Sequence, residues 1–171
     1  MPRLLLLFSL INLIIGTGAF VIGGILGPIA ESLQVGVPAA GQAVTVYALS
    51  TAVLAPVMLV LTGGWRRKRA MQLALLLFAL GNAVCALAPS LGVLLAGRTL
   101  MGLGAMFTPI AAGIAVASVE PARRGRALSV VFLGISLSYV VGIPLGAWLG
   151  FRYGWHAPLW VVTVLSFAML A

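Results

Sequence analysis

The sequence predicts an all-α membrane protein with six transmembrane helices, arranged as a 3+3 inverted repeat. Hydrophobic residues make up 63% of the 171 residues and charged residues only 7%, whereas a soluble domain carries about a quarter charged residues. The apolar residues form long runs, and the basic residues are almost all confined to the short gaps between them. Such runs match the roughly 20 residues that a helix needs to cross the hydrocarbon core of a bilayer.

Charged residues and turn residues divide the chain into six apolar segments. The predicted helices are Leu4–Ile29, Gln42–Gly63, Met71–Leu87, Leu91–Val119, Ala127–Gly150 and Ala157–Ala171. The first segment has the charged start of a signal peptide, but its uncharged run continues to Ala30 without a small-residue cleavage site. We therefore expect this segment to be a retained span. The last segment is short for a span.

The basic residues predict the orientation of the chain in the membrane. Cytoplasmic loops carry an excess of lysine and arginine, and a cytoplasmic N-terminus places eight of the ten basic residues on that side. They are Arg3, Arg66, Arg67, Lys68, Arg69, Arg123, Arg124 and Arg126. This topology explains the net charge of +8, so nucleic acid is not an expected partner. Residues 66–69 are also suited to bind anionic lipid.

A weak internal repeat supports the inverted arrangement. A shift of 86 positions places Gly16-Thr17-Gly18-Ala19-Phe20 over Gly102-Leu103-Gly104-Ala105-Met106. Three helices followed by three equivalent helices have opposite orientations in the membrane, which is the inverted repeat found in transporters. Chance agreement is a serious alternative in a chain with 21 glycines.

The composition leaves little material for enzyme chemistry. The chain has one histidine, one cysteine and two acids, Glu31 and Glu120, which are far apart in the sequence. Neither a metal cluster nor a pair of catalytic carboxylates can be assembled from these residues. No Gly-Lys-Ser/Thr phosphate loop is present in the sequence. We therefore predict neither an enzyme, nor a cofactor, nor an ATP-driven pump.

Arg98 is the most informative single residue. An arginine within a span costs about 2.5 to 3.5 kcal/mol on insertion scales and is seldom tolerated without a partner. One interpretation is that Arg98 extends towards the outer interface, since it lies only seven residues after Leu91. We favour the alternative that it is part of a substrate or proton pathway. In that alternative, Tyr47, Thr51 and Tyr139 on neighbouring spans share a polar cavity with it.

Small residues predict close helix packing in two places. The fifth segment carries Gly134, Ser138, Gly142, Gly146 and Gly150 at every fourth position, with Pro144 inside the series. One face of this helix is therefore nearly free of side chains, which lets another backbone approach, and the proline favours a local kink. The seam is a packing surface, and it is also a candidate gate. The first segment has a similar stripe that begins at Asn12, which we expect either to join two helices by a hydrogen bond or to contact substrate.

Several of these features together resemble motifs of the major facilitator superfamily, most closely its drug:proton antiporters and arabinose-efflux permeases. Residues 62–69 stand where the family has a Gly-x-Leu-Ala-Asp-Arg-x-Gly-Arg-Arg loop signature, with Gly63 at the aspartate position and Arg66, Arg67, Lys68 and Arg69 as the basic cluster. Residues 95–105, which include Arg98, are similar to the helix 4 signature, with Met101 in place of its usual glutamine. Gly142, Pro144 and Gly146 resemble the helix 5 signature of antiporters, and residues 153–156 resemble the outer-loop Gly-Trp-Arg pattern.

The resemblance implies half of a twelve-helix fold, with a central cavity lined by helices 1 and 4 and a C-terminal six-helix half that is absent from this chain. It also implies a multi-pass permease of the cell inner (plasma) membrane that exports small molecules, such as drugs or sugars, in exchange for protons by alternating access. Two alternatives remain open at this stage. One is an uptake symporter of the same fold, and the other is a truncated membrane protein that transports nothing.

Overall fold

The computed structural model describes residues 2–170, which form a bundle of helices with no β-strand in that part of the chain. The α-helices are α1 (Pro2–Gly24), α2 (Leu26–Ser32), α3 (Val37–Leu61), α4 (Arg67–Ala86), α5 (Leu91–Gly104), α6 (Phe107–Ala117), α7 (Arg124–Leu137), α8 (Ile143–Tyr153) and α9 (His156–Ala168). A 3₁₀ turn, Pro121–Arg123, precedes α7, and a π-helix, Ser138–Gly142, joins α7 to α8.

These elements form six spans. Span 1 is α1 with α2, span 2 is α3, span 3 is α4, span 4 is α5 with α6, span 5 is α7 with the π-helix and α8, and span 6 is α9. Among the described residues, five helical stretches are long and apolar enough to cross a membrane, and α9 is apolar but only 13 residues long. Short connections make successive spans alternate in direction, so the basic residues Arg3, 66–69 and 123–126 lie at one end of the bundle. We call this the basic end.

Prolines account for two interruptions in the helices. α5 ends at Gly104 and α6 begins at Phe107, because Pro109 has no N–H to offer the carbonyl of Ala105 four residues earlier. In span 5 the π-helix ends two residues before Pro144, which likewise cannot donate to the carbonyl of Val140. A distortion at Pro144 was predicted from the sequence, and the widened turn lies at that position.

The order of packing is that of an inverted repeat. Span 1 packs against span 5, span 4 packs against span 2, and spans 3 and 6 pack against each other. Exchanging each span for the one three positions away in the chain turns each of these three pairs into one of the same three. The 3+3 arrangement predicted from the sequence is therefore confirmed by which helices touch.

Two hydrogen bonds show the same repeat at the level of single residues. Asn12 Nδ2 in span 1 donates to the carbonyl of Val131 in span 5 over 3.0 Å. Arg98 follows Asn12 by 86 positions, and its Nε donates to the carbonyl of Ala43 in span 2, also over 3.0 Å. Asn12 and Arg98 thus occupy equivalent positions in the two repeats and bind the backbone of equivalent neighbours.

The helix boundaries differ from the predicted ones mainly at the ends of spans. The first predicted helix, 4–29, is interrupted at Ile25 and continues to Ser32, and the second, 42–63, begins five residues earlier at Val37. The third, 71–87, begins at Arg67, so three of the four clustered basic residues lie in its first turn rather than in a loop. Long basic side chains can extend from a helix to the interface, and charge therefore marks the membrane surface rather than the helix end.

The remaining three predicted helices also differ in their bounds. The fourth predicted helix, 91–119, is divided at Ala105–Met106. The fifth, 127–150, runs from Arg124 to Tyr153 and the sixth, 157–171, from His156 to Ala168; Ala171 lies outside the described residues.

Candidate functional site

Three of the predicted site residues line one cavity. Tyr47 and Thr51 of span 2 and Tyr139 of span 5 border a cavity of about 320 Å³, close to the lower end of the range for small-molecule sites. The remaining walls come from spans 1, 4 and 5, namely Ile15, Gly16, Ala19, Phe20, Ala105, Thr108, Pro109 and Ile135. The cavity therefore lies where spans 1 and 4, the helices that the family resemblance implied, meet spans 2 and 5.

The cavity combines aromatic rings with hydroxyl groups. The rings of Phe20 and Tyr139 are stacked with their centroids 4.9 Å apart. Tyr47, Thr51 and Thr108 add further hydroxyls, and no charged side chain is among the described residues that line the cavity. Within residues 2–170, the buried hydroxyl of Thr51 has no hydrogen-bond partner. A buried polar atom of this kind is costly unless something binds it, so this hydroxyl is a candidate to bind a ligand when the spans around it move apart and uncover it.

Arg98 lies behind the wall of the cavity. Its side chain is fully buried, with 0% of its surface exposed, and the guanidinium carbon lies 4.5 Å from the centre of the Tyr47 ring. It is not one of the residues that line the cavity. The interpretation that Arg98 extends to the outer interface is therefore wrong for this conformation, because the side chain points into the bundle.

Backbone carbonyls take the place of an acidic partner for Arg98. Nε donates to Ala43 O of span 2, and Nη1 donates to Gly18 O of span 1 over 3.0 Å. Nη2 donates to Ala19 O, also in span 1. A single guanidinium thus joins spans 1, 2 and 4, and with the cation–π contact it fixes the position of Tyr47.

Asn12 is also buried and joins helices rather than lining the cavity. Its amide nitrogen binds Val131 O, and its Oδ1 accepts a hydrogen bond from Thr108 Oγ1 over 2.7 Å. The side chain is 0% exposed. Two roles were considered for Asn12 from the sequence, a hydrogen bond between helices and a contact with substrate. The structure shows the hydrogen bond between helices. Thr108 connects Asn12 to the cavity.

The small residues of span 5 form a seam against span 1. A Cβ atom at Gly142 would overlap the hydroxyl of Thr17, and one at Gly146 would overlap the side chain of Val21. At Gly134 the obstacle is the backbone itself, since the added carbon would overlap Ser9 O and lie 2.8 Å from Leu13 N. Pro144 is on the other side of the helix and is exposed. The seam thus holds spans 1 and 5 close beside the cavity.

The loop motif lies away from the cavity, at the basic end. Gly63 is in the turn after α3, and the four residues 66–69 are exposed around the start of α4. The structure thus separates the predicted residues into a cavity group, a buried group that supports its wall, a packing seam and a basic surface. Phe20 and Thr108 were not predicted. The sequence offered two signals for these residues, namely Pro109 next to Thr108 and the internal repeat that contains Phe20.

A bundle of apolar spans around a small, partly hydroxylated cavity is an arrangement found in membrane transport folds. The sequence profile of the Major Facilitator Superfamily matches residues 8–171. The chain belongs to the Major Facilitator Superfamily and is a multi-pass membrane protein.

Individual relatives agree with this assignment. The uncharacterized MFS-type transporter YbcL of Bacillus subtilis is 31% identical over 94% of this chain and 41% of its own length. A chloramphenicol efflux pump of Mycobacterium tuberculosis is 36% identical over 82% of this chain and 34% of its own length. The chain therefore spans well under half the length of these curated relatives.

A solved structure shares the fold. A crystal structure of a peptide transporter of the POT type superposes with a TM-score of 0.81 at 18% sequence identity, covering 98% of this chain and 36% of that one. The chain therefore has the fold of one six-helix part of such a transporter.

Proposed function

We propose that this chain is the N-terminal transmembrane bundle of a secondary transporter that exports small molecules by alternating access. The observation that carries the proposal is the cavity between spans 1, 2, 4 and 5, where aromatic rings and hydroxyl groups meet inside an apolar bundle. Such a surface binds a small ligand that is partly aromatic and accepts or donates a few hydrogen bonds. Chloramphenicol, named for one relative, is a compound of this kind.

A second six-helix unit completes the transporter in this proposal. The cavity is bordered by one bundle only, and in transporters with repeated halves the substrate site lies between the halves near the bilayer midplane. The two units rock around this site and expose it to one side of the membrane at a time. The small-residue seam between spans 1 and 5, with its π-helix and Pro144, is the part of this bundle best suited to change shape.

Proton coupling is also part of the proposal, but this bundle does not supply an obvious proton carrier. Both acids of the chain, Glu31 and Glu120, lie near the ends of spans. We therefore place a proton-binding carboxylate in the second unit and give Arg98 a positioning role behind Tyr47. The basic end faces the cytoplasm of a cell with an inner (plasma) membrane, and the N-terminus lies on the same side.

Export of chloramphenicol is the direct test. Cells that express the native protein should accumulate less radiolabelled chloramphenicol than cells without it, and a proton uncoupler should remove the difference. Higher accumulation would instead indicate the uptake symporter, and equal accumulation would contradict export of this substrate. A non-transporting membrane protein gives no difference with any substrate.

One pair of variants assigns the export to the cavity. Thr51→Val removes only the hydroxyl of a residue that lines the cavity, and we expect export to fall about two- to tenfold, the value of one hydrogen bond. Thr99→Val is the matched control, since the hydroxyl of Thr99 bonds within its own helix to Leu95 O and does not line the cavity. Equal activity of the two variants would show that the cavity does not bind the substrate.

A further inference from the structure

A second cavity lies at the basic end of the bundle and differs from the first in chemistry. It has a volume of about 360 Å³ and is bordered by spans 1, 3 and 4 and by residues 169–170, which follow α9. Its walls are apolar, with Phe8 on span 1, Met71 and Leu75 on span 3, and Phe107 on span 4. We call it the basic-end cleft.

Two polar residues stand at the edge of this cleft. Lys68 and Gln72 are the polar members of its described lining, and they lie one turn apart on the same face of α4. Both side chains are exposed. An apolar pocket with a cation at its edge has the polarity of a phospholipid, whose acyl chains lie beneath a charged headgroup.

The surrounding charge favours a negative ligand. Lys68 belongs to the run of four basic residues 66–69, and Arg3 lies at the start of span 1 beside the same end of the bundle. The chain has only two acids, and Glu120 alone is at this end, after α6. The field at the edge of the cleft is therefore positive, and basic clusters next to membrane spans attract anionic lipids.

We propose that the basic-end cleft binds an anionic phospholipid, with an acyl chain between spans 1, 3 and 4 and residues 169–170 and the headgroup phosphate at Lys68. Free phosphate would use Lys68 but gain nothing from the apolar walls. A zwitterionic lipid would use the walls but gain less from the positive edge. Only an anionic lipid satisfies both parts of the site.

Native mass spectrometry of the purified protein with added lipid tests the site. Phosphatidylglycerol should bind several-fold more tightly than phosphatidylcholine of the same acyl chains. Lys68→Gln should weaken the binding of phosphatidylglycerol about fivefold, the effect of one basic residue near a membrane surface. Arg69→Gln is the matched control, because it removes the same charge from the same helical turn but does not border the cleft.

The outcomes separate this site from general surface charge. Retention of lipid preference in Arg69→Gln and its loss in Lys68→Gln supports the proposal. Equal weakening by the two variants overturns it in favour of non-specific attraction, and equal binding of the two lipids by the unaltered protein overturns it as well. Displacement of phosphatidylglycerol by glycerol 3-phosphate at equal concentration would show that the acyl chain is not held, and would also overturn it.

Discussion

Replacing Gly134 with alanine is expected to destabilise the bundle severely. The new methyl group would overlap Ser9 O and lie 2.7 Å from the carbonyl carbon of Ser9. Both obstacles are backbone atoms of span 1, so no side-chain rotation relieves them and the two spans must move apart. Overpacking of this kind costs about 1–3 kcal/mol or more, enough to lower the yield and the thermal unfolding midpoint of the protein in detergent.

Gly113→Ala is the matched control for Gly134→Ala. Gly113 also lies within a transmembrane helix, α6, but a Cβ atom there meets nothing within 4 Å. We expect its unfolding midpoint to be unchanged or slightly higher, because alanine favours helix more than glycine does. Intermediate losses are expected for Gly142→Ala and Gly146→Ala, whose obstacles are side chains of Thr17 and Val21. Equal midpoints for Gly134→Ala and Gly113→Ala would contradict the close packing of spans 1 and 5.

Replacing Arg98 with alanine is expected to abolish most transport while the protein still inserts into the membrane. Insertion should be as good or better, because a charged residue in a span opposes it. The folded bundle, however, loses the hydrogen bonds to Gly18, Ala19 and Ala43 and the support beneath the Tyr47 ring. We expect transport to fall at least tenfold, which corresponds to about 1.4 kcal/mol, and the unfolding midpoint to fall as well.

Two further variants test whether Arg98 acts through its geometry or through its charge alone. Arg98→Lys keeps the charge but has a single nitrogen that cannot span the carbonyls of spans 1 and 2 together, so it should restore little activity. Arg152→Ala removes an exposed arginine at the opposite end of the bundle and should have almost no effect. Full activity of Arg98→Lys would mean that charge alone is needed, and the geometric role assigned to Arg98 would be wrong.

Much of the fold could be predicted because the bilayer imposes simple rules on sequence. Six apolar segments, the basic residues between them and the small residues of span 5 each follow from a physical requirement of a membrane helix. The repeat was visible in the glycines because close approach of spans needs small residues at equivalent places. The predicted helix ends were less accurate, because the end of a helix need not coincide with the point where the chain leaves the membrane.

The site was predictable only in part. Tyr47, Thr51 and Tyr139 were found because polar side chains inside apolar spans are rare. The surroundings of Arg98 and Asn12 were not, because their partners are backbone carbonyls, which every residue carries and no sequence pattern reveals. Phe20 was missed because an aromatic residue that faces a cavity has the same composition signal as one that faces lipid.

The central claim is the proposal that the cavity at Tyr47, Thr51, Thr108 and Tyr139 is a substrate site, which opens to water during alternating access. Cys85 is the only cysteine of the chain and is buried, so Cys85→Ala provides a background for single cysteines. Thr51→Cys and Thr108→Cys should react with a membrane-impermeant methanethiosulfonate reagent in intact vesicles, whereas Val164→Cys, on the exposed outer face of α9, should not. Failure of both cavity positions to react, or equal reaction at position 164, would contradict the claim.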